Sequence, residues 1–505
     1  MMRKESDSSL WFHPGLALLW FGITMLVLQG CALIPGLKPE AEMISVSRLK
    51  NIQSFNSASA EWPKDDWWRS YGDPQLDLLI EEALKDSPNL SVARARSRLA
   101  GSMVQMAGAA RLPQVSLNAS VTEQRQSYNY LIPAAVTPQG WNDYGLAMLD
   151  FSWELDFWGK NKSALSAAIS EVEAMQAELA QTRLVLSTSV ASAYAELAHL
   201  YKSLETAKAA MVVRAKTAEL FRSRYQYGLE TLGSVRQVEA RLAGAEAVIV
   251  ALEERIALHK NGIAALLGTG PDRGLSIQRP KIDLSTPRDL PRELALELLG
   301  RRPDIVAARL RAEAASKRIN QRKAEFYPNI NLMAFIGVQS LGLNMLTRSG
   351  SMTGSVGPAI SLPILNTKRL AGQLDAAYAE HDLAVASYNA ALVNALREVA
   401  DAAASRRHLA KQLKAHGDSY VFAREAHRIA TRRYEGGLSN YLDVLSAEDV
   451  LLVAQYSLTE IQTRALALDV ELVRSLGGGY QTGNISAGAE NKAPCQRTAV
   501  NSDRP

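Results

Sequence analysis

Hydrophobic spacing divides the chain into stretches of two kinds. From Lys160 to Arg224 there is neither proline nor glycine, and every seventh residue from Leu165 is apolar: Leu165, Val172, Leu179, Leu186, Ala193, Leu200 and Ala207. A strict seven-residue repeat belongs to helices packed as a coiled coil. At 1.5 Å per residue it predicts a helix roughly 100 Å long. A return helix is predicted from about Thr231 to Leu267, stopped by Gly268-Thr269-Gly270-Pro271. A second such pair is predicted near Leu370–Tyr434 and Tyr441–Leu476, and abundant alanine along these stretches lets neighbouring helices approach closely.

The other stretches alternate with period two. Gln114–Thr122 sets Val115, Leu117, Ala119 and Val121 against Ser116, Asn118, Ser120 and Thr122. Leu149–Phe157 sets Leu149, Phe151, Trp153, Leu155 and Phe157 against Asp150, Ser152, Glu154 and Asp156. Ile330, Leu332, Ala334, Ile336 and Val338, and then Val356, Pro358, Ile360 and Leu362, make two more such runs. One apolar and one polar face is the pattern of a barrel strand between lipid and water. A soluble sheet capping a helical bundle alternates in the same way. Two hairpins are predicted, with outer loops Glu123–Tyr144 and Gln339–Ser355. Tyr128, Tyr130, Trp141 and Tyr144 at one end, and Trp158, Phe326 and Tyr327 at the other, are candidates for interfacial girdles. Four strands cannot close a barrel, and an open edge is not tolerated in hydrocarbon. If these strands span a membrane, several chains share one barrel, and three copies supply twelve strands.

The order of elements occurs twice. Leu79–Leu117 and Leu294–Leu332 align without a gap, superposing Pro88 on Pro303, Arg94 on Arg309, Arg96 on Arg311 and Pro113 on Pro328. Later, Arg224-Tyr225-Gln226-Tyr227-Gly228-Leu229 matches Arg433-Tyr434-Glu435-Gly436-Gly437-Leu438. So long a period is a duplicated half-molecule and not a solenoid of small repeats.

The ends add a destination. Met1–Ser9 carries Arg3 and Lys4, Leu10–Leu28 is apolar, and Leu28-Gln29-Gly30-Cys31 follows. This is the layout of an export signal, and a cysteine placed there resembles the acylation site of a bacterial lipoprotein, palmitate included. The same apolar run is also long enough for a single membrane anchor. Acyl chains on Cys31 would hold the mature chain to lipid stably. Ala32 follows where an acidic residue commonly retains such proteins at the inner membrane, which favours the outer one. The only other cysteine, Cys495, then has no partner in the chain, which excludes a disulfide-built fold. A net charge of +4 over 505 residues argues against a nucleic-acid surface.

Enzymatic motifs are absent. Seven histidines are scattered, with no His-Glu-x-x-His, no paired ligands at metal spacing and no Gly-x-Ser-x-Gly elbow. Gly268-Thr269-Gly270-Pro271-Asp272-Arg273 ends a helix instead of opening one and is not a dinucleotide loop. No cofactor, metal site or catalytic group is expected.

Several segments together resemble the outer-membrane factors of tripartite efflux pumps and type I secretion systems. These are the TolC-like group, and within it the NodT-type lipoprotein branch. They are Trp67-Trp68-Arg69-Ser70-Tyr71-Gly72-Asp73-Pro74-Gln75-Leu76, Trp153-Glu154-Leu155-Asp156-Phe157-Trp158-Gly159-Lys160, Arg301-Arg302-Pro303-Asp304-Ile305 and Phe326-Tyr327-Pro328. The resemblance covers about Trp67 to Leu476. It implies a mainly α chain with a membrane β-barrel portion, three copies sharing a 12-stranded barrel above an α-helical barrel. The expected product is an efflux conduit in the cell outer membrane, lipid-anchored, with an extended periplasmic portion. A periplasmic adaptor and an inner-membrane transporter, expected to be proton-driven, would dock at the far end. The implied division is signal peptide 1–30, acylated segment 31–66, first repeat 67–270, linker 271–290, second repeat 291–476 and disordered tail 477–505.

By the same resemblance, the turns Tyr227-Gly228-Leu229 and Gly436-Gly437-Leu438 contact the adaptor. Tyr434, Asp443, Ser234 and Ser446 occupy the positions of a periplasmic gate, with Asp443 where symmetry-related carboxylates ring the closed constriction. The chain departs from the pattern at three sites: Ser446 replaces an acid, Ser234 an aspartate and Ser439 an arginine. Closure is therefore expected to rest on helix packing and hydroxyl bonds instead of ion pairs. The transported substrate is not legible.

Overall fold

The computed structural model describes residues 36, 38–45, 48, 61–129, 135–282 and 294–481. The expected export signal, Cys31, Tyr130 and Cys495 lie outside the described residues. Two compact units emerge, and each draws on both halves of the sequence. The first holds the described residues before Met43 with Leu99–Glu173 and Leu310–Ala386; the second holds those of Met43–Arg98, Ala174–Arg309 and the chain from Ser387.

Among the described residues the elements run from a 3-10 turn, Trp67–Tyr71, to α1 (Pro74–Asp86), α2 (Pro88–Ala109), β1 (Gln114–Gln124) and β2 (Asn142–Glu154). Next come α3 (Lys160–Gln226), α4 (Leu232–Leu266) and the short α5 (Asp272–Leu275). The second half repeats the order with α6 (Leu294–Arg301), α7 (Pro303–Ala324), β3 (Asn329–Leu341), β4 (Met352–Ser361), α8 (Thr367–Glu435) and α9 (Tyr441–Ser475). The long helices α3 and α8 contain 67 and 69 residues. Among the described residues, no helix is long and apolar enough to cross a membrane.

In the first unit the four strands form one antiparallel sheet in the order β1-β2-β3-β4. The register aligns the apolar positions across all of them. Leu117 pairs with Leu149, Leu149 with Ile336, and Ile336 with Gly354; Val115, Phe151, Ala334 and Val356 make the next row. Ser116, Asp150, Phe335 and Ser355 share the opposite face. Asn118 donates from Nδ2 to Asp150 Oδ2 at 2.7 Å on that face. The strands run past their expected ends into the outer loops, with Glu123 paired to Asp143 and Tyr144 to Leu341. Backbone pairing needs no apolar side chain, so the hydrophobic pattern stops before the ladder does.

At the base of the sheet β2 stops at Glu154, short of the expected Phe157. The Asp156 carboxylate there accepts the backbone N–H of Asn161 at 3.1 Å and of Lys162 at 2.7 Å, capping the start of α3. Trp158 stacks on Tyr327 with centroids 4.6 Å apart and donates from Nε1 to the Pro328 carbonyl at 2.8 Å. Phe326, expected in the same girdle, is buried instead and packs with Ile319, Leu370, Leu374 and Tyr378. Its neighbour Tyr327 takes the outward position, because consecutive residues of a turn leave in different directions.

The core of the second unit joins α1, α3, α4 and α9. Leu76, Leu79 and Ile80 of α1 meet Val190, Tyr194 and Leu197 of α3, Ile256 and Ile263 of α4, and Val470 and Val473 of α9. Asp73 caps α1 by accepting from Gln75 N at 3.0 Å, and its other oxygen receives the Tyr194 hydroxyl at 2.7 Å and Lys281 N at 2.9 Å. The structure is packed beyond the expected start of the tail at Gly477. A Cβ on Gly477 would sit 2.0 Å from the Arg301 carbonyl oxygen, and one on Gly478 2.3 Å from Leu184. Only glycine allows the chain so close, which is why the helical period ends there and the packing does not.

Candidate functional site

The two turns that join the long helices are built alike. After α3, Leu229 N donates to Arg224 O at 2.8 Å and Gly228 N to Tyr225 O at 2.9 Å; after α8, Leu438 N donates to Arg433 O at 2.8 Å and Gly437 N to Tyr434 O at 3.1 Å. Gly228 and Gly437 take φ of 73° and 70°. These are paired closures in which a left-handed glycine satisfies the last carbonyls of a helix. The following helices are capped equivalently, Thr231 accepting from Ser234 N at 3.2 Å and Asn440 from Asp443 N at 3.1 Å. Tyr227, Leu229 and Leu438 project from the turns, 78%, 62% and 74% exposed. Apolar side chains held outward by closed turns offer a contact surface to another molecule.

Behind the turns the duplicated motif ceases to be symmetric. Tyr434 is buried, whereas its counterpart Tyr225 is exposed. The Tyr434 ring stacks on Phe221 at 5.4 Å and lies 4.4 Å from the Arg224 guanidinium, whose Nη1 donates to the Tyr434 carbonyl at 3.3 Å. Its hydroxyl donates to the Glu230 carboxylate. Burial first, and then the hydrogen bond to Glu230, pushes the phenol pKa up, so it remains a donor throughout the physiological range. Val235, Val238, Val444 and Leu445 complete the surrounding cluster.

Of the sequence-derived gate residues, Tyr434 therefore occupies a latch between the two halves, but its partner is Glu230. Ser234 is buried, and its hydroxyl meets Thr231 at 2.8 Å within its own cap. The bond between halves thus ends on a carboxylate instead of on a second hydroxyl. Asp443 and Ser446 lie exposed one turn apart at the start of α9, outside the latch. A carboxylate in the first helical turn is favoured by the helix dipole.

Two residues beyond Ser446, Glu448 is 1% exposed. Thr217 of α3 donates to its Oε2 at 2.7 Å, and Arg214 Nε lies 3.6 Å from its Oε1. His427 of α8 stands beside this pair with Nε2 buried and unpartnered. The corresponding residue of the first half, Glu239, bonds Arg222 and Arg236 near the surface. Neither Glu230 nor Glu448 was singled out from the sequence. Glu448 had a signal, since it interrupts the buried apolar row Val444, Leu445, Leu451 and Leu452. Among the described residues no group of acidic, histidine or cysteine side chains could hold a metal ion.

The histidine makes stability depend on pH. Burial lowers the His427 pKa, and the Glu448 charge opposes that only in part. The unfolded chain then binds the proton more tightly, so stability is complete above the ordinary value of about 6.5 and falls as pH drops through the lowered one. Thermal unfolding of the wild type between pH 7.5 and about 5 is expected to show this loss, and His427→Gln to lack it. Parallel pH profiles for the two proteins would refute the assignment.

A family model described as outer membrane efflux protein matches residues 79–269 and 294–478, one stretch in each half. The fusaric acid resistance protein FusA of Burkholderia cepacia is 38% identical over 360 residues, covering 70% of this chain and 68% of its own. The multidrug resistance outer membrane protein MdtP of Escherichia coli K12 is 29% identical over 471 residues, covering 92% and 96%. Among solved structures, the outer membrane protein VceC of Vibrio cholerae superposes with a TM-score of 0.79 at 48% identity, over 83% of this chain and 100% of that one. The outer-membrane channel OprN superposes with a TM-score of 0.78 at 27% identity, over 89% and 99%.

Proposed function

Because this chain belongs to the outer membrane efflux protein family, we propose that three copies form the exit duct of a tripartite pump, with the latch at its periplasmic end as the door. The chain is an outer-membrane channel component of an efflux system. The observation that carries the trimeric reading is the sheet. Val115, Phe151, Ala334 and Val356 carry one apolar row across all four strands, and β1 and β4 are left as edges. Three such sheets joined edge to edge close a barrel that has lipid on one face and water on the other.

The exposed turns, with Tyr227, Gly228 and Leu229 beside Gly436, Gly437 and Leu438, receive the adaptor hairpin, and an inner-membrane transporter, proton-driven in this reading, supplies the cargo. Cys31 anchors each copy to lipid. The relatives named for drug and fusaric acid resistance support small toxic organic molecules as that cargo. Asp443, exposed next to the turn, supplies the three carboxylates of a narrow ring, where confined negative charge attracts cations.

Two measurements test this. Detergent-purified protein should migrate as a trimer until boiled and as a monomer afterwards; a monomer without heating would end the duct reading. In planar bilayers the trimer should conduct weakly with a cation bias, and Asp443→Ala should raise conductance and reduce the bias. Unchanged selectivity would remove Asp443 from the door.

A further inference from the structure

The face of the sheet turned away from Val115, Phe151, Ala334 and Val356 is not uniformly polar. On the outer strands it carries Ser116 and Asn118 of β1 and Thr353 and Ser355 of β4, as a wetted wall requires. On the central strands it carries Met148 and Asp150 of β2 and Met333 and Phe335 of β3. Asp150 pairs directly with Phe335, and Met148 pairs with Gly337, two residues along from Phe335. Directly paired residues hold their Cβ atoms about 5 Å apart and diagonal neighbours about 7–8 Å, so the ring lies within reach of the carboxylate and of Met148. Met333 precedes the ring by two residues on the same strand and is 52% exposed. Glycine leaves room around both methionines. Met148 lies over Gly337, where an added Cβ would come 3.0 Å from its Cγ, and a Cβ on Gly357, the partner of Met333, would meet nothing within 4 Å.

Packing against lipid cannot explain these side chains, because they point to the other side. The charges beside them have one sign. The four strands hold Glu123, Asp143, Asp150 and Glu154 and not one lysine, arginine or histidine. Glu154 is paired with Lys160 at 2.5 Å. Asp150 accepts from Asn118 on Oδ2, and its Oδ1 has no partner among the described residues.

A ring for stacking, thioethers for an adaptable apolar contact and a carboxylate oxygen for a positive charge together match one kind of guest. We propose that the centre of each sheet is a transit site for amphiphilic organic cations, molecules with a flat apolar body and an ammonium nitrogen. The body lies on Phe335 between Met148 and Met333, and the nitrogen sits at Asp150 Oδ1. The proposal rests on the reading of the sheet as one third of a duct, and it names the chemical class of cargo that the wall holds. In the closed barrel three such sites share one lumen, where confined negative charge raises the local concentration of cations. A conduit needs weak sites, since a guest must be held well enough to enter and loosely enough to leave. An anion of the same shape gains the ring and is repelled by the carboxylate.

The test titrates berberine, a flat quaternary ammonium whose fluorescence rises in apolar surroundings, into trimers held in nanodiscs of zwitterionic lipid, with empty nanodiscs as the blank. Binding should saturate, and naphthalene-2-sulfonate, a flat anion, should not displace it. Asp150→Asn keeps the shape and an acceptor for Asn118, and should weaken binding about tenfold. Phe335→Ser should weaken it by a similar factor, whereas Phe335→Tyr, which keeps the ring, should stay within about twofold of the unsubstituted protein. Ile336→Val, on the lipid side of the same strand, should change nothing. Each variant is first checked for trimers on unheated gels, and the Asp150→Asn and Phe335→Tyr arms decide the matter if Phe335→Ser does not assemble. Trimers that bind no berberine, that bind the sulfonate equally well, or that bind berberine as tightly after Asp150→Asn would overturn the site and leave the duct standing. A loss in Ile336→Val as large as that in Phe335→Ser would overturn the assignment of faces and the site with it. Absence of trimers from the unsubstituted protein would overturn the duct itself.

Discussion

Trimers carrying Tyr434→Phe should leak. The substitution keeps the ring against Phe221 and removes only the hydrogen bond to Glu230. A hydrogen bond to a charged group contributes about 1.5–3 kcal/mol. Each 1.4 kcal/mol is a factor of ten in an equilibrium constant, so the open fraction should rise about tenfold or more. Glu230→Gln should act in the same direction and less strongly, because a neutral amide still accepts the bond. Tyr434→Ala should have the largest effect, since it also removes the stacking on Phe221 and the cation contact of Arg224 and leaves a cavity in a buried cluster. Single-channel conductance in bilayers reads this directly, and cells should become sensitive to bulky antibiotics that the outer membrane ordinarily excludes. Wild-type conductance in both Tyr434→Phe and Glu230→Gln would show that the latch does not hold the door.

The second large effect is on assembly. A Cβ at Gly337 would lie 2.2 Å from the Ala147 carbonyl oxygen and 2.7 Å from the Met148 Cα, both backbone atoms of the neighbouring strand. No rotamer relieves such a clash, so Gly337→Val must separate β2 from β3 over several residues. That pair is the one that joins the two sequence halves within the sheet. We expect no heat-resistant trimers and no protein in the outer-membrane fraction. Gly357→Ala is the control. It lies in β4, a Cβ there meets nothing within 4 Å, and assembly should persist. Normal trimer yield from Gly337→Val would mean that the sheet tolerates a break at its centre.

Much of this architecture is legible in the sequence because it rests on periods. The alternation of Leu149, Phe151 and Trp153 specifies one face of β2, and the seven-residue rhythm of α3 specifies a packed helix whatever its neighbours are. The turns are legible because reversing a long helix requires a left-handed residue, and glycine at 228 and 437 is the chemical sign of one. Partner identity is different. Tyr225 and Tyr434 stand in the same local motif, yet one meets solvent and the other meets Phe221, Arg224 and Glu230. Nothing in six residues of sequence distinguishes them, since the partners of Tyr434 lie 204 and 210 positions away in the chain. Phe326 was misread for the same reason, as an aromatic near a strand end is compatible with a girdle or with a core. Glu448 is a third case, a charge kept inside by Thr217 and Arg214, residues more than two hundred positions away.

The internal repeat has an evolutionary corollary. A half-length ancestor with one hairpin and one helical pair would need six identical copies to enclose the same space, and sixfold symmetry would force every tyrosine of the turn into one environment. Joining two such halves in one chain lifts that constraint. Once the two copies of the motif were covalently distinct, one could turn inward while its twin stayed in solvent, as Tyr434 and Tyr225 do. Doubling the gene therefore halved the number of subunits and also made possible a lock and a strike plate that differ from each other, which a sixfold ring of identical chains cannot encode.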